Sequence, residues 1–385
     1  MADRFDRIPF PVFFPEEADF GDVYGGPGGF VFFDCDHLKP QQPKTNTAIV
    51  FSHPVGGGAW LPLVRALADA GHPVVYGNGR YRGNDSALVM EKCLVDLGQT
   101  IRYAKEELGY ERVLLGGWSG GGSLSLYYQQ QAERPTVTHT PAGDPCDLTR
   151  ATLPAADGVM LLAAHISRAG TLTEWMDASI LDEARPDEKD PELDLYHPEN
   201  PNQPPYSQAF LDRYAEAQVA RNRRITAWAK DRLSELRAAG GARKEECFVV
   251  QGTMADPRFL DPTIDPNGRA PGTCYLGHPE TVNTGPTGLA RFATLRSWLS
   301  QWSYDDSLAD GLTCAADISV PVLVINNEAD DACTPSHAKR LYSAVGHENK
   351  QFHEIEGATH YYIGQPDKLA EAVDVCERWI EEALA

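Results

Sequence analysis

The sequence predicts an α/β fold with a mostly parallel, doubly wound sheet. Short apolar runs of strand length alternate along the chain with segments whose apolar residues recur at helical spacing. Loops rich in glycine or polar residues follow these runs, and ligands gather at such loops in a parallel sheet. One segment of about 150 residues interrupts the alternation, so we expect a large insertion between two strands.

The first half of the predicted sheet begins with the apolar run 47–52, which ends in a glycine-rich loop. A helical pattern covers 61–70, a second strand covers 73–76, and a longer helical pattern covers about 87–108. Alternation of strands and helices indicates a parallel sheet, because the crossover between two parallel strands is usually a helix.

The second half of the predicted sheet contains three further strands. The runs 158–164 and 320–325 are short and continuous, which is typical of strands buried on both faces. A helix begins near Ser336, and a further strand is predicted over 351–355. The loops after these strands are where we expect functional residues.

The most informative motif is Gly-Trp-Ser-Gly-Gly at 117–121, between an apolar run and a segment compatible with a helix. A sharp turn from strand to helix forces its serine into a strained conformation, and the small neighbours Gly117, Gly120 and Gly121 permit that turn. The start of the helix directs N–H groups toward the same place. We interpret Ser119 as a nucleophile; the alternative is a glycine-rich turn with an incidental serine.

A serine nucleophile needs a base and an acid that orients the base. After the strand ending at Ile325 the chain reads Asn-Asn-Glu-Ala-Asp-Asp, and after 351–355 it reads Glu-Gly-Ala-Thr-His. His360 is the candidate base, and the acid is one of Glu328, Asp330 and Asp331.

With these motifs the sequence resembles the α/β-hydrolase superfamily over most of the chain outside the insertion. The resemblance implies a triad of Ser119, Asp330 and His360, because the family's acid follows a glycine by three residues and Asn327 stands in place of that glycine. Glu328 and Asp331 remain alternatives for the acid if the turn is shifted. The resemblance also implies an oxyanion hole formed by the N–H of Gly120 and an N–H of the loop after the strand 47–52. In that loop Pro54 stands where the family has glycine, which leaves Val55 as the better donor and Gly56 as the reserve.

The insertion is placed at 167–318, and residues 1–166 and 319–385 are assigned to the α/β core. Within the insertion, helical patterns are predicted over 208–239 and 288–302. The second pattern contains two tryptophans one turn apart, and aromatic residues at helical spacing are usually core.

Aromatic residues are the candidate substrate contacts. They are Trp118 beside the serine and Trp175, Phe259 and Tyr275 in the insertion. Buried apolar walls favour a substrate of matching character, so we expect a small, apolar or aromatic molecule.

Composition excludes several classes of function. The formal net charge of −21 at pH 7 opposes binding to nucleic acids and to anionic membranes, which need basic patches. No apolar stretch is long enough for a membrane span, and the opening residues lack the pattern of a secretory signal. The eight cysteines are scattered, without a C-x-x-C pair, so we expect reduced thiols in a cytoplasmic protein. Neither a nucleotide-binding motif nor metal-ligand spacing is present, and no cofactor or metal is expected.

The sequence therefore predicts a serine hydrolase that cleaves a carboxylic ester or lactone through an acyl-enzyme. Amide or peptide hydrolysis and C–C bond hydrolysis use the same triad and remain alternatives. A non-hydrolytic acyltransferase or lyase, and a ligand-binding protein without turnover, are further alternatives. The sequence leaves open whether the chain forms a homo-oligomer.

Overall fold

The computed structural model describes residues 4–16 and 29–384. Its strands are β1 (Phe5–Pro15), β2 (Phe30–Pro40), β3 (Thr47–Ser52), β4 (Val74–Gly77), β5 (Arg112–Trp118), β6 (Gly158–Leu162), β7 (Cys247–Val249), β8 (Phe292–Thr294), β9 (Val322–Asn327) and β10 (Lys350–Ile355). Its helices are α1 (Pro62–Asp69), α2 (Met90–Glu106), α3 (Gly120–Glu133), α4 (Arg168–Trp175), α5 (Gln208–Ala239), α6 (Pro279–Thr284), α7 (Leu295–Ser297), α8 (Gly311–Asp317), α9 (Pro335–Ala344) and α10 (Pro366–Ala383). A 3₁₀ turn (Pro257–Phe259) and a π-helical turn (Trp298–Trp302) complete the described elements.

The central sheet has eight strands in the order β1-β2-β4-β3-β5-β6-β9-β10. Strands β3 to β6, β9 and β10 pair in parallel, and the antiparallel pairs β1–β2 and β2–β4 form one edge. The predicted α/β fold with a mostly parallel sheet is confirmed. The sequence patterns did not identify β1 and β2.

Both faces of the sheet are covered by helices. Along β3, Ala48 and Val50 pack into the cluster that contains α2, α3, α8 and α9, whereas Ile49 and Phe51 pack into the cluster that contains α1 and α10. Successive side chains of a strand point to opposite faces, so a strand buried on both sides must be apolar throughout. This is why β3, β5, β6 and β9 read as continuous apolar runs.

The segment 167–318 lies between β6 and β9 and contributes its own helices and the two-stranded sheet β7–β8. The predicted helix 208–239 coincides with α5. Ser207 caps its start by accepting the Phe210 N–H, and Gly240 ends it in a left-handed conformation. The boundaries of core and insertion given above stay a prediction.

The predicted helix 288–302 is wrong in its first half. Residues 292–294 form β8 and pair with β7, and Ala290 has a φ of 56°, which a helix does not allow. Helical structure starts at Leu295, and both tryptophans of the pattern are fully buried. Within the described ranges, 4–16 and 29–384, no helix combines the length and apolar character needed to cross a membrane.

Candidate active site

Ser119 occupies the turn between β5 and α3, with φ 52° and ψ −123°. L-residues avoid a positive φ, so the surrounding structure must hold this strain. The close packing explains the glycines: a Cβ on Gly117 would lie 2.7 Å from Cα of Gly122, and one on Gly121 would lie 2.5 Å from the Ser52 carbonyl oxygen. The turn places Ser119 beyond the carboxyl end of β5.

His360 and Asp330 form a buried pair on the loops after β10 and β9. Nδ1 of His360 lies 2.7 Å from Oδ2 of Asp330. The other carboxylate oxygen of Asp330 accepts the N–H groups of Ala332 and Cys333, each at 2.7 Å. A carboxylate held by two backbone donors is fixed in orientation, and it fixes the imidazole in turn.

The two alternative acids have other positions. Glu328 accepts the Gly357 N–H at 3.1 Å and so fastens the start of the loop that carries His360. Asp331 is half-buried, and burial together with the neighbouring charge of Asp330 raises its pKa. Of the three acids, Asp330 is therefore the one that the structure brings into a hydrogen bond with His360.

Asn327 connects the acid loop to the histidine loop. Its Nδ2 donates to the Thr359 carbonyl at 2.9 Å, and its Oδ1 accepts the Tyr362 hydroxyl at 2.6 Å. The backbone adds a bond from the Ala329 N–H to the Ala358 carbonyl at 2.9 Å. Asn327 therefore sets the spacing between the two loops.

Ser119 and His360 both line a cavity of about 590 Å³ under the insertion. Trp118 lies near two imidazoles, with its ring centroid 4.5 Å from that of His360 and 6.2 Å from that of His53. Trp175 and Tyr275 from the insertion also line this cavity. A second cavity of about 450 Å³ lies between α5, β7 and residues 181–184, and none of the predicted site residues lines it.

Phe259 requires a correction. Its side chain is only 2 % exposed, and it packs against Trp175 with ring centroids 5.7 Å apart, within an apolar cluster of the insertion. It does not border the cavity that contains Ser119. Phe259 is therefore placed as core behind Trp175 and not as a substrate contact.

The predicted oxyanion donors also need a correction. The Val55 N–H donates to Nδ1 of His53 at 3.3 Å, and the Gly56 N–H donates to the His53 carbonyl at 2.8 Å. Both groups are therefore engaged in this conformation. Gly120 differs, because it is the first residue of α3 and its N–H belongs to the helical turn that has no acceptor within the helix.

Two histidines that the sequence did not assign to the site lie beside Gly120. A Cβ on Gly120 would lie 2.8 Å from Nε2 of His53 and 3.4 Å from Nε2 of His165. Burial, with the nearby charges of Arg168 and His360, lowers the pKa of His53 to about 3. Burial also lowers the pKa of His165 well below its usual range. The sequence contains one signal for these two residues, which is their position: His53 and His165 each follow a predicted strand directly.

Cys333 is a third residue that the sequence did not assign to the site. Ligand atoms of Asp330, Cys333 and His360 lie within 4.8 Å of one another, a grouping that could hold a metal ion. Burial and the charge of Asp330 raise the pKa of the Cys333 thiol well above its usual range, whereas contact with Ser119 acts in the opposite direction. Metal binding requires a thiolate, and the raised pKa of Cys333 opposes its formation, so the donor chemistry disfavours a metal here.

Similar proteins are found among solved structures. No family model and no curated protein matches the chain. Among solved structures, the complex of DcsB with its substrate analogue has a TM-score of 0.50 and 13% identity, covering 98% of this chain and 99% of that one. A monoacylglycerol lipase from Paleococcus ferrophilus has a TM-score of 0.44 and 15% identity, covering 90% of this chain and 96% of that one.

The esterase domain of a Rhodothermus marinus protein has a TM-score of 0.45 and 12% identity, covering 98% of this chain and all (100%) of that one. The strands and helices of this chain define its fold directly. Its sheet is mostly parallel and carries the Ser119 turn after β5, the Asp330 loop after β9 and the His360 loop after β10. The chain therefore has the α/β-hydrolase fold.

Proposed function

We propose that the protein is a serine hydrolase that cleaves a carboxylic ester or lactone by way of an acyl-enzyme. One observation carries this proposal. Ser119, on a strained turn, borders the same cavity as His360, whose Nδ1 lies 2.7 Å from the buried carboxylate of Asp330. These three groups are a nucleophile, a base and an orienting acid.

The Asp330 carboxylate holds the proton of a neutral His360 on Nδ1 and leaves Nε2 as the base. As the Ser119 hydroxyl oxygen attacks the substrate carbonyl carbon, Nε2 takes the hydroxyl proton, and the carbonyl oxygen becomes an oxyanion. The N–H of Gly120 and the start of α3 stabilise this oxyanion. Asp330 stabilises the imidazolium that results.

The tetrahedral intermediate then collapses. The bond to the leaving oxygen breaks as His360 gives its proton to that oxygen, and the acyl group remains on Ser119. Water attacks the acyl-enzyme with His360 again as the base, releasing the acid and restoring the serine hydroxyl. For a lactone the leaving alcohol and the acyl group belong to one molecule, which opens into a hydroxy acid.

The cavity supports a small substrate with apolar or aromatic character. Its walls include Trp60, Trp118, Trp175, Tyr275 and Tyr361, and its volume of about 590 Å³ is in the usual range for small-molecule sites. Arg168 also borders the cavity, and the carboxylate of Asp85 pairs with its guanidinium at 2.5 Å. This pairing compensates the cation, which favours a neutral substrate over an anionic one.

The test is a substrate panel combined with covalent labelling. Aryl esters, alkyl esters, lactones and amides are assayed with the wild-type protein and with Ser119→Ala. An organophosphonate probe is then mapped by peptide mass spectrometry. We expect turnover of esters or lactones, a single adduct on Ser119, and loss of both in the variant.

A matched control is Cys333→Ala, which removes the other nucleophilic side chain beside Ser119 and should retain the label. A folded wild-type protein that takes no label from several probes, or takes it elsewhere, contradicts the proposal. Turnover restricted to amides would replace the ester and lactone assignment. Products formed in ¹⁸O-labelled water distinguish hydrolysis, which incorporates the label, from transfer to another acceptor.

A further inference from the structure

The oxyanion of an acyl-transfer reaction is normally stabilised by two hydrogen-bond donors. Gly120 offers one. The loop after β3 is the expected source of the second, but its Val55 and Gly56 N–H groups are bonded to His53, and the Gly57 N–H donates to Oδ1 of Asn78 at 2.7 Å. The second donor must therefore come from elsewhere around the cavity.

We propose that Nε2–H of the His53 side chain is this second oxyanion donor. The proposal rests on the proposed function, because it assigns a role in the reaction at Ser119. It makes His53 a catalytic residue that touches the reacting oxygen, in place of a backbone group of the same loop.

The hydrogen bond from Val55 determines the tautomer of His53. A ring nitrogen that accepts a hydrogen bond cannot carry the proton, so acceptance from the Val55 N–H at 3.3 Å leaves Nδ1 bare. The neutral ring then carries its proton on Nε2. Burial keeps the ring neutral, since it lowers the pKa of His53 to about 3.

Pro54 contributes to this arrangement. Proline has no N–H, so the first donor of the loop after His53 is that of Val55. In this structure that donor orients the imidazole and is not offered to substrate. Pro54 thus departs from the family pattern next to a histidine whose side chain can donate a hydrogen bond in place of the missing backbone N–H.

The position of Nε2 fits the role. It lies 2.8 Å from the point that a Cβ on Gly120 would occupy, and Gly120 is the residue whose N–H supplies the first donor. His53 borders the same cavity as Ser119. Nε2 of His53 therefore lies beside the residue that supplies the first donor and at the cavity that Ser119 borders.

The surrounding charges are compatible with an oxyanion. The titratable groups that influence His53 are Arg168 and His360, and both lower its pKa, as expected for positive or dipolar neighbours. These two groups oppose a positive charge on His53, which keeps the donor ring neutral. The charge of Arg168 is itself paired with Asp85, so the stabilisation of the oxyanion is assigned to the two hydrogen-bond donors. His165 faces the same region from the loop after β6, with its Nε2 3.4 Å from the point that a Cβ on Gly120 would occupy.

His165 is the natural comparison, because its ring is nine-tenths buried and its Nδ1 has no hydrogen-bond partner among the described residues. Unlike His53, it has no backbone donor that fixes its tautomer in this structure. We therefore assign the oxyanion contact to His53 and use His165 as the control.

The kinetic test compares His53→Ala, His53→Gln and His165→Ala on an ester that the wild-type protein hydrolyses. We expect His53→Ala to lower kcat by about 100- to 1000-fold with little change in KM. The side-chain amide of glutamine can donate a hydrogen bond from a similar distance. The kcat of His53→Gln should therefore be at least about tenfold higher than that of His53→Ala. Binding of a trifluoromethyl ketone, which forms an oxyanion on Ser119, should weaken in parallel with kcat.

The tautomer is tested independently of activity. Nitrogen-15 shifts of the His53 ring should report a proton on Nε2 and none on Nδ1 throughout the range from about pH 5 to pH 9. A proton on Nδ1 overturns the proposal. So does a folded His53→Ala protein with unchanged kcat, or a kcat loss that occurs in His165→Ala and not in His53→Ala.

Failure of this inference is distinguishable from failure of the proposed function. If wild-type protein labels on Ser119 and hydrolyses esters while His53→Ala keeps its kcat, only the role of His53 is wrong. If the wild-type protein neither labels nor turns over any member of the panel, the proposed function itself is wrong, and the oxyanion assignment falls with it.

Discussion

The carboxylate of Asp330 contacts the imidazole of His360 across 30 residues of sequence, with Oδ2 and Nδ1 2.7 Å apart. The neighbouring Asp331 is half-buried and has a raised pKa. One residue in the turn after β9 therefore separates the carboxylate that is hydrogen-bonded to His360 from a carboxylate that is not.

Exchange of these two acids for amides should have very different effects. Asp330→Asn places a donor where an acceptor is needed and favours the wrong tautomer of His360, so we expect kcat to fall by about 10,000-fold. Asp331→Asn should leave kcat close to the wild-type value. Steady-state kinetics on one ester, with circular dichroism to verify folding, measures both. A larger loss of kcat in Asp331→Asn than in Asp330→Asn would mean that Asp331 is the acid.

The sequence could predict those parts of the fold and site that depend on local patterns. Strands β3, β5, β6 and β9 are apolar on both faces, and the serine turn requires glycines at fixed offsets, so both leave a short-range signal. The sequence does not identify the acid as clearly. Spacing alone left Glu328, Asp330 and Asp331 open, because a side-chain contact with His360 decides between them.

Other parts of the fold and the site leave no usable signal in the sequence. β1 contains Pro9, Pro11 and Pro15, which argue against a central strand; the edge position, where β1 pairs only with β2, tolerates them. The engagement of the Val55 N–H depends on the orientation of the His53 ring, which the sequence does not encode locally. β8 needs β7 as its partner, so its residues read as part of a helix when considered alone.

The aromatic residues of the insertion separate into cavity walls and core. Trp175→Leu and Tyr275→Leu should change KM and the preference between a bulky aryl ester and a small alkyl ester, because both side chains border the cavity. Kinetics on two esters of different bulk measure this preference. Labelling of Ser119 by a small probe should persist in both variants.

Phe259→Leu is the matched control for these variants, since Phe259 packs behind Trp175 without bordering the cavity. We expect it to lower the free energy of unfolding by about 1–2 kcal/mol and to alter both esters equally. A changed preference between the two esters in Phe259→Leu would place Phe259 at the cavity. An unchanged preference in Trp175→Leu and Tyr275→Leu would place those two side chains in the core.

Glu174 ties the insertion to the core. Its carboxylate, on α4, accepts from Arg258 at 2.5 Å, from Nε2 of His337 on α9 at 2.9 Å and from Arg340 at 3.3 Å. Burial alone would raise the pKa of Glu174, but Arg258 and His337 more than offset it and hold the pKa well below its usual range. A carboxylate with a depressed pKa stabilises the fold above its unfolded pKa, and that stabilisation is lost as the pH falls through the folded value.

Glu174→Gln should therefore lower the free energy of unfolding at pH 7 by about 2 kcal/mol, a value discounted for partial exposure of the carboxylate. The difference from wild type should shrink in acid, where both side chains are uncharged. Urea unfolding at neutral and acidic pH measures it. A constant difference at every pH would mean that the carboxylate charge is not what stabilises this contact.

Glu91 has the opposite dependence on pH. Its side chain is fully buried at the start of α2, and it accepts from the Ser300 hydroxyl at 2.8 Å and from the Tyr127 hydroxyl at 3.3 Å. Burial raises the pKa of this carboxyl from 4.5 to about 7. Neither partner is a cation, so nothing in these contacts compensates a charge on Glu91.

Between pH 4.5 and about pH 7 the folded chain keeps a proton on Glu91 that the unfolded chain releases, so stability falls as the pH rises. The full cost at pH 8 is about 3 kcal/mol. Glu91→Gln is uncharged at every pH and should gain that amount over wild type between pH 4.5 and pH 8, measured by urea unfolding. The control Glu107→Gln changes an exposed carboxylate just beyond α2 and should follow the wild-type curve. Parallel curves for Glu91→Gln and wild type would show that the buried carboxyl ionises at its ordinary pKa.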